Sequence, residues 1–203
     1  MIVPVKPSGK SRLSGVLSEG ERRELAGLFL KEVMAALRRA GLAGSTFVVS
    51  SDDGAIRLAG SLGARVVREA ADTGVNGAVR AGIGAAAARQ ILVLPSDLPF
   101  LRASDLRRIV ALHEGGAKVV IAPSAAFDGT NALLFPRSAA FPLSYDSDSF
   151  WSHLSSASAM GLTVGVCTAQ GVMSDIDSPD DLRMLAASGS RSSSAAFARR
   201  ALG

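Results

Sequence analysis

Three cations fall within seven residues in Val3-Pro4-Val5-Lys6-Pro7-Ser8-Gly9-Lys10-Ser11-Arg12-Leu13, a loop that leaves a short apolar run. Lys6, Lys10 and Arg12 in such a loop can neutralise a string of phosphates, and Ser11 adds a hydroxyl. The spacing is not a Walker A loop, because the glycine required five residues before Gly9 is Pro4 here. Taken alone, the segment is equally a solvated basic turn. A second segment, Ile91-Leu92-Val93-Leu94-Pro95-Ser96-Asp97-Leu98-Pro99, is an apolar run that ends in an acid. A carboxylate at a strand tip is fixed by rigid backbone and suits a divalent ion such as Mg²⁺, which asks for one or two carboxylates plus substrate phosphates. Asp97 is thus the first candidate metal ligand, with a turn or helix-capping aspartate ahead of Pro99 as the alternative. In the third segment, Met173-Ser174-Asp175-Ile176-Asp177-Ser178-Pro179-Asp180-Asp181-Leu182, alternation along an extended backbone puts Asp175 and Asp177 on one face. Two such carboxylates repel each other unless a cation or an arginine lies between them. Asp180 and Asp181 suit the first turn of a helix, where the macrodipole favours acids.

Two further stretches can serve a ligand. Asp128-Gly129-Thr130-Asn131 precedes a short strand and offers a hydroxyl, an amide and backbone N–H groups, and Ser147-Asp148-Ser149-Phe150 opens a helix whose N-terminus can receive an anion. An ordinary turn and an ordinary N-cap explain the same residues. Asn76, in Thr73-Gly74-Val75-Asn76-Gly77-Ala78, either faces a nucleobase or caps a helix. His113 and His153 are too far apart in sequence to suggest a metal pair and read as structural. Cys167, the only cysteine, sits in an apolar strand-like run and reads as a small core residue.

Positioning these residues requires a sheet. Apolar runs of four to seven residues alternate with segments of helical period, the pattern of parallel strands joined by crossover helices. Strands are expected over 2–5, 46–50, 65–68, 91–95, 118–122, 132–135 and 163–167. Helices are expected from the Ser18/Glu21 capping box to Gly41 and over 53–61, 73–88, 103–114, 149–160 and 179–187, the last with Ser178 as N-cap and Pro179 at its first position. The fold class is a three-layer α/β/α sandwich with a mostly parallel central sheet, in one domain over 1–187. Residues 188–203, rich in Ser and Arg, read as a flexible peripheral tail ending in a short basic amphipathic stretch. In an open α/β sheet, ligands bind beyond the carboxyl ends of the strands, which is where the Lys6–Arg12 loop and Asp97 both point.

Composition narrows the partners. Of 203 residues, 48% are hydrophobic and 20% charged, enough for one core that needs neither disulfide nor metal as a staple. The net charge of +4 is accompanied by only eight Phe, one Trp and one Tyr, and part of the excess lies in Arg191, Arg199 and Arg200. That distribution favours a phosphorylated small molecule over nucleic acid. No run reaches a membrane span and the first residues do not form a signal peptide, so a cytoplasmic protein with no membrane partner is expected.

Six segments in order, PVKPSGKSRL at 4–13, TGVNGAV at 73–79, LPSDLP at 94–99, GTNALL at 129–134, SDSFWSHL at 147–154 and SDIDSPDDL at 174–182, resemble the 2-phospho-L-lactate/phosphoenolpyruvate guanylyltransferase family of the CofC type. That resemblance implies a GT-A-like nucleotidyltransferase fold, related to the molybdenum-cofactor guanylyltransferases but without their glycine-rich first loop. It implies transfer of GMP from GTP to a small phosphorylated acid in the biosynthesis of coenzyme F-420, with pyrophosphate released. Carried over by position, Asp97, Asp175 and Asp177 would hold Mg²⁺, and Lys6, Lys10, Ser11, Arg12, Asn76 and Ser96 would face the nucleotide. Thr130 and Ser149 would contact the phosphorylated acid. Tyr145-Asp146 stands where the family usually has Phe-Gly, which places an acid, Asp146, beside an anionic substrate. A homodimer is among the assemblies left open. Other readings are a nucleotidyltransferase using another nucleotide or 3-phosphoglycerate, a GT-A sugar-nucleotide glycosyltransferase, and a non-catalytic nucleotide-binding regulator.

Overall fold

The computed structural model describes residues 1–6 and 11–203, so Lys10 of the basic loop, with Pro7, Ser8 and Gly9, lies outside the described residues. The apolar runs become β1 (Ile2–Pro4), β2 (Phe47–Ser50), β3 (Arg65–Arg68), β4 (Gln90–Val93), β5 (Val119–Pro123), β6 (Thr130–Pro136) and β7 (Val164–Val166). They form one sheet of order β3-β2-β1-β4-β6-β5-β7. Every pairing is parallel except those of β6, which runs antiparallel to both β4 and β5. The period-2 alternation of the central strands divides their side chains between two cores. Val3, Val48, Leu92 and Val120 face α1 (Glu19–Arg39), α2 (Asp53–Ser61) and α4 (Ala103–Glu114). Ile2, Val49, Ile91, Val93 and Ile121 face α3 (Gly74–Ala85) and α5 (Ser149–Ala159). The result is the expected three-layer α/β/α sandwich.

Local signals place the elements. The Ser18 side chain accepts from the Glu21 N–H while Glu21 accepts from the Ser18 N–H, so α1 starts with the anticipated capping box, and Gly41 follows its end at φ 76°. α3 lies unusually close to the sheet, because a Cβ on Gly82 would stand 2.6 Å from Ile2 Cγ2. No helix among the described residues is long and apolar enough to cross a membrane.

The C-terminus differs from the flexible tail expected of its Ser-rich composition. After α6 (Gln170–Met173) and α7 (Pro179–Ala187), residues Ser193–Leu202 form a helix, α8, that packs on α7 and α1. Ser192 caps it through the Ala195 N–H, and the Glu32 carboxylate of α1 accepts from both the N–H and the hydroxyl of Ser194. Phe197, Ala195 and Ala198 enter a third apolar cluster with Leu25, Phe29, Leu182 and Ile176. Composition missed this because the serines serve as caps and the apolar stripe is short. That cluster grips the back of the segment carrying Asp175 and Asp177.

Candidate active site

The chain turns outward from β1 to β2 and β3, then returns to place β4 on the other side of β1. At this reversal the loops after adjacent strands diverge, and a cleft of about 550 Å³ opens beyond the carboxyl ends of β1 and β4. β6 runs the other way, so it is its beginning, Thr130 and Asn131, that reaches the same edge. Both residues were expected in a loop; both are buried members of the strand.

The acidic wall has three contributors. Asp97 follows β4, and its backbone carbonyl accepts from the Ile176 N–H at 3.3 Å, which ties the strand tip to the 174–178 segment. Ile176 is fully buried in the third apolar cluster, and Asp175 and Asp177 on either side of it both line the cleft. Asn131 Nδ2 donates to Asp175 Oδ1 at 2.9 Å. Burial first, then the negative charges of Asp97 and Asp177, push the Asp175 carboxyl up to about 6 despite that hydrogen bond. The Asp177 N–H donates to Asp181 Oδ2 at 3.1 Å, so Asp181, the capping-box acid of α7, also holds the backbone of Asp177. Arg12 Nη1 stands 3.8 Å from Asp177 Oδ2 across the cleft. Among the described residues no three His, Cys, Asp or Glu side chains gather closely enough to close a metal site by themselves.

Lys6, Arg12 and Ser96 also line the cleft. Ser11 does not; it opens the 3-10 turn Ser11–Leu13, anchored by buried Leu13. Asn76 has partners that sequence did not suggest. Its Oδ1 accepts from the Tyr145 N–H at 2.9 Å and its Nδ2 donates to Asp146 Oδ2 at 3.3 Å, so it clamps the 145–146 loop instead of capping α3. The turn ahead of α3 is held by Asp72, whose Oδ1 accepts from the Gly74 N–H.

The rest of the lining combines hydroxyl side chains with the acids Asp128, Asp146 and Asp148. Ser149 is buried at the first position of α5, whose N-cap Asp148 makes no side-chain capping bond and adopts a left-handed conformation, φ 51°. Across from it Phe127 is also left-handed at φ 61°, and the Ser124 hydroxyl donates to Asp128 Oδ1 and accepts from the Gly129 N–H. Non-glycine residues adopt this region at a cost of order 1 kcal/mol, so both loops are held in fixed shapes by their surroundings. Thr130 Oγ1 lies 2.9 Å from His153 Nδ1. Tyr145 lines the cleft, and its hydroxyl is buried with no hydrogen-bond partner among the described residues. Burial pushes this phenol well above its usual range, so it stays an O–H donor. The structure thus gathers Lys6, Arg12, Ser96, Asp97, Thr130, Asp146, Ser149, Asp175 and Asp177 around one cleft. The amide of Asn131 was anticipated as a ligand group but not as a partner of Asp175, and Tyr145 and His153 went unrecognised as contributors. The only sequence signals for these last two were adjacency to Asp146 and a one-turn spacing from Ser149.

The model of the family described as guanylyl transferase CofC like matches residues 1–202. The chain belongs to this family. It is therefore an enzyme, a nucleotidyltransferase of the guanylyl-transferring kind. It is 39% identical to a phosphoenolpyruvate guanylyltransferase of Rubrobacter xylanophilus over 93% of each chain. It is 35% identical to a 3-phospho-D-glycerate guanylyltransferase of Phenylobacterium zucineum, covering 85% of this chain and 81% of that one. With a 2-phospho-L-lactate guanylyltransferase of Methanothermobacter thermautotrophicus it shares 32% identity over 89% of its own length and 81% of the relative's. The solved structure of a nucleotidyl transferase from the latter organism superposes with TM-score 0.65 at 18% identity, covering 98% of both chains. Relatives of this guanylyltransferase therefore carry three different acceptor names at similar identity.

Proposed function

We propose that the enzyme moves GMP from GTP to the phosphate of a small phosphorylated carboxylic acid, 2-phospho-L-lactate or phosphoenolpyruvate, and releases pyrophosphate, in the biosynthesis of coenzyme F-420. The observation that carries this reading is one cleft lined both by a set of Lys6, Arg12, Asp97, Asp175 and Asp177 and by a set of Thr130 and Ser149, the latter with Asp128, Asp146 and Asp148 close by in sequence. The first suits a polyphosphate together with its counter-ion. The second suits a compact anion, because an uncapped helix N-terminus and hydroxyl donors stabilise negative charge without a fixed cation.

The donor set fits a divalent cation. Asp97, Asp175 and Asp177 line one cleft as an oxygen-rich set of donors, burial and the two neighbouring charges raise the proton affinity of Asp175, and Mg²⁺ needs only one or two carboxylates when phosphates complete its shell. Asp97, with Asp175 or Asp177, would hold the ion. Bound there it would neutralise charge on the α- and β-phosphates. Lys6 and Arg12 orient the triphosphate and stabilise the pyrophosphate as it leaves. Thr130 and Ser149 hold the acceptor so that its phosphate oxygen attacks the α-phosphorus in line; the new P–O bond forms as the bond to the β-phosphate oxygen breaks. No general base is required, since a phosphate monoester has a second pKa near ~6 and is mostly dianionic at neutral pH.

The test is pyrophosphate release across GTP, ATP, CTP and UTP with phosphoenolpyruvate, 2-phospho-L-lactate and 3-phosphoglycerate. GTP with one of the first two acids is expected to give the highest kcat/KM. Asp97→Asn, which keeps shape and removes charge, should lower turnover roughly 100-fold or more. Activity with none of the three acids, or an undiminished Asp97→Asn enzyme, overturns the reading.

A further inference from the structure

His153 is a fully buried histidine on α5 whose ring nitrogens, among the described residues, pair with Thr130 and Ser144 and not with the acids or cations of the cleft. Both ring nitrogens are engaged. The Ser144 backbone N–H donates to Nε2 at 3.0 Å, and Nδ1 lies 2.9 Å from Thr130 Oγ1. Phe141 and Tyr145 pack their rings around the imidazole. A backbone N–H can only donate, so Nε2 must carry the lone pair. Burial also lowers the pKa of this histidine, to about 4, which keeps the ring neutral at working pH. A neutral ring whose Nε2 accepts has its proton on Nδ1, and that proton is donated to Thr130 Oγ1.

The tautomer decides what Thr130 can do. With Nδ1–H donating to it, Thr130 Oγ1 acts as acceptor toward the histidine and its own O–H is released toward the cleft that it lines. With the other tautomer the threonine would spend its proton on Nδ1 and show a ligand only lone pairs, which repel an anion. We propose that His153 is a positioning residue for the acceptor: the Ser144 N–H sets its tautomer, and the tautomer sets the Thr130 hydroxyl as a donor to the anionic acceptor. The same contacts tie together the three pieces around Thr130 and Ser149, namely the start of β6, the 144–145 loop and α5. The inference rests on the proposed function, in which Thr130 touches the phosphorylated acid.

Steady-state kinetics of wild type, His153→Leu, His153→Asn, Thr130→Val and the His153→Leu/Thr130→Val double variant test it, together with ¹⁵N NMR of the wild-type imidazole. Asn places an amide N–H near the position of Nδ1–H; Leu has no donor. His153→Leu is expected to raise the acceptor KM about tenfold, the scale of one lost hydrogen bond, with GTP KM within about twofold. His153→Asn should recover most of that loss, and adding His153→Leu to Thr130→Val should change the acceptor KM no further. The NMR spectrum should show Nδ1 protonated and Nε2 bare at neutral pH. An Nε2–H or doubly protonated ring overturns the proposal, and so does an equal rise in both KM values or the absence of rescue by Asn. If wild type releases no pyrophosphate with any of the three acids, the functional reading fails and this inference fails with it. If wild type is active and the variants show no split, the inference alone fails. Should His153→Leu not fold, His153→Asn and the wild-type spectrum decide.

Discussion

Asp175→Asn should stabilise the protein while disabling it. The wild-type carboxyl titrates at about 6 in the folded chain against 3.8 for a free aspartate, because it is desolvated and faces Asp97 and Asp177. An acid whose folded pKa is raised destabilises the fold once it ionises. The cost is absent below about pH 4, grows between about 4 and 6, and is complete above about 6. At ~1.4 kcal/mol per pKa unit the full shift corresponds to about 3 kcal/mol, which solvent screening of this partly exposed side chain reduces to about 1–2 kcal/mol. Asn keeps the shape, and its carbonyl can still accept from Asn131 Nδ2. For a chain of this size, Tm should rise by about 3–6 °C at pH 7.5 in a chelating buffer, and the gain should vanish as the pH falls toward 4. Turnover with GTP should drop roughly 100-fold or more in the same variant, because a carboxylate proposed to hold the divalent ion at the phosphates is lost. Thermal unfolding of both proteins from pH 4 to 8, with and without Mg²⁺, is the assay. An unchanged or lower Tm at pH 7.5, or a gain independent of pH, would refute the claim that burial and the neighbouring charges of Asp97 and Asp177 raise the Asp175 carboxyl.

Arg12→Ala should raise the GTP KM about tenfold with Tm unchanged within about 1 °C, since its side chain is 77% exposed and its contact with Asp177 is a solvent-screened 3.8 Å; steady-state kinetics at matched Tm checks it. Asp146→Gly removes a carboxylate from the cleft together with its bond to Asn76, so the acceptor KM should fall several-fold while the GTP KM stays constant, read from kinetics with the three acids. Phe197→Ala should cost about 3 kcal/mol in urea unfolding, because Phe197 is 4% exposed within the third apolar cluster, whereas a flexible tail would contribute nothing.

What the sequence revealed and what it hid follow from the range of the interactions involved. Strands such as 47–50 and 119–123 are continuous apolar runs because both faces of the sheet are covered, and the capping boxes at Ser18 and Ser178 act over three residues, so these elements were readable locally. Asp97, Asp175 and Asp177 were also legible, since a strand tip and an alternating pair announce their own geometry. The antiparallel direction of β6 was not, because its residues read as a buried strand in either orientation, and direction depends on where the 124–129 turn sends the chain. Asn76 reaches Tyr145 and Asp146 across 69 and 70 positions, Asn131 reaches Asp175 across 44, and His153 reaches Thr130 across 23. Each is a polar side chain that must find a partner once buried. That rule demands a partner without naming it, and the fold supplies one by bringing the start of β6, the loop at 144–146 and α5 to the same end of the sheet. The part of the cleft around Thr130 and Ser149 is therefore a product of topology, whereas the carboxylates follow from short-range signals: Asp97 comes just after β4, and Asp175 and Asp177 flank the buried Ile176 between α6 and α7. Variants in the first group should alter which acid is used, and variants in the second should abolish transfer whichever acid is supplied.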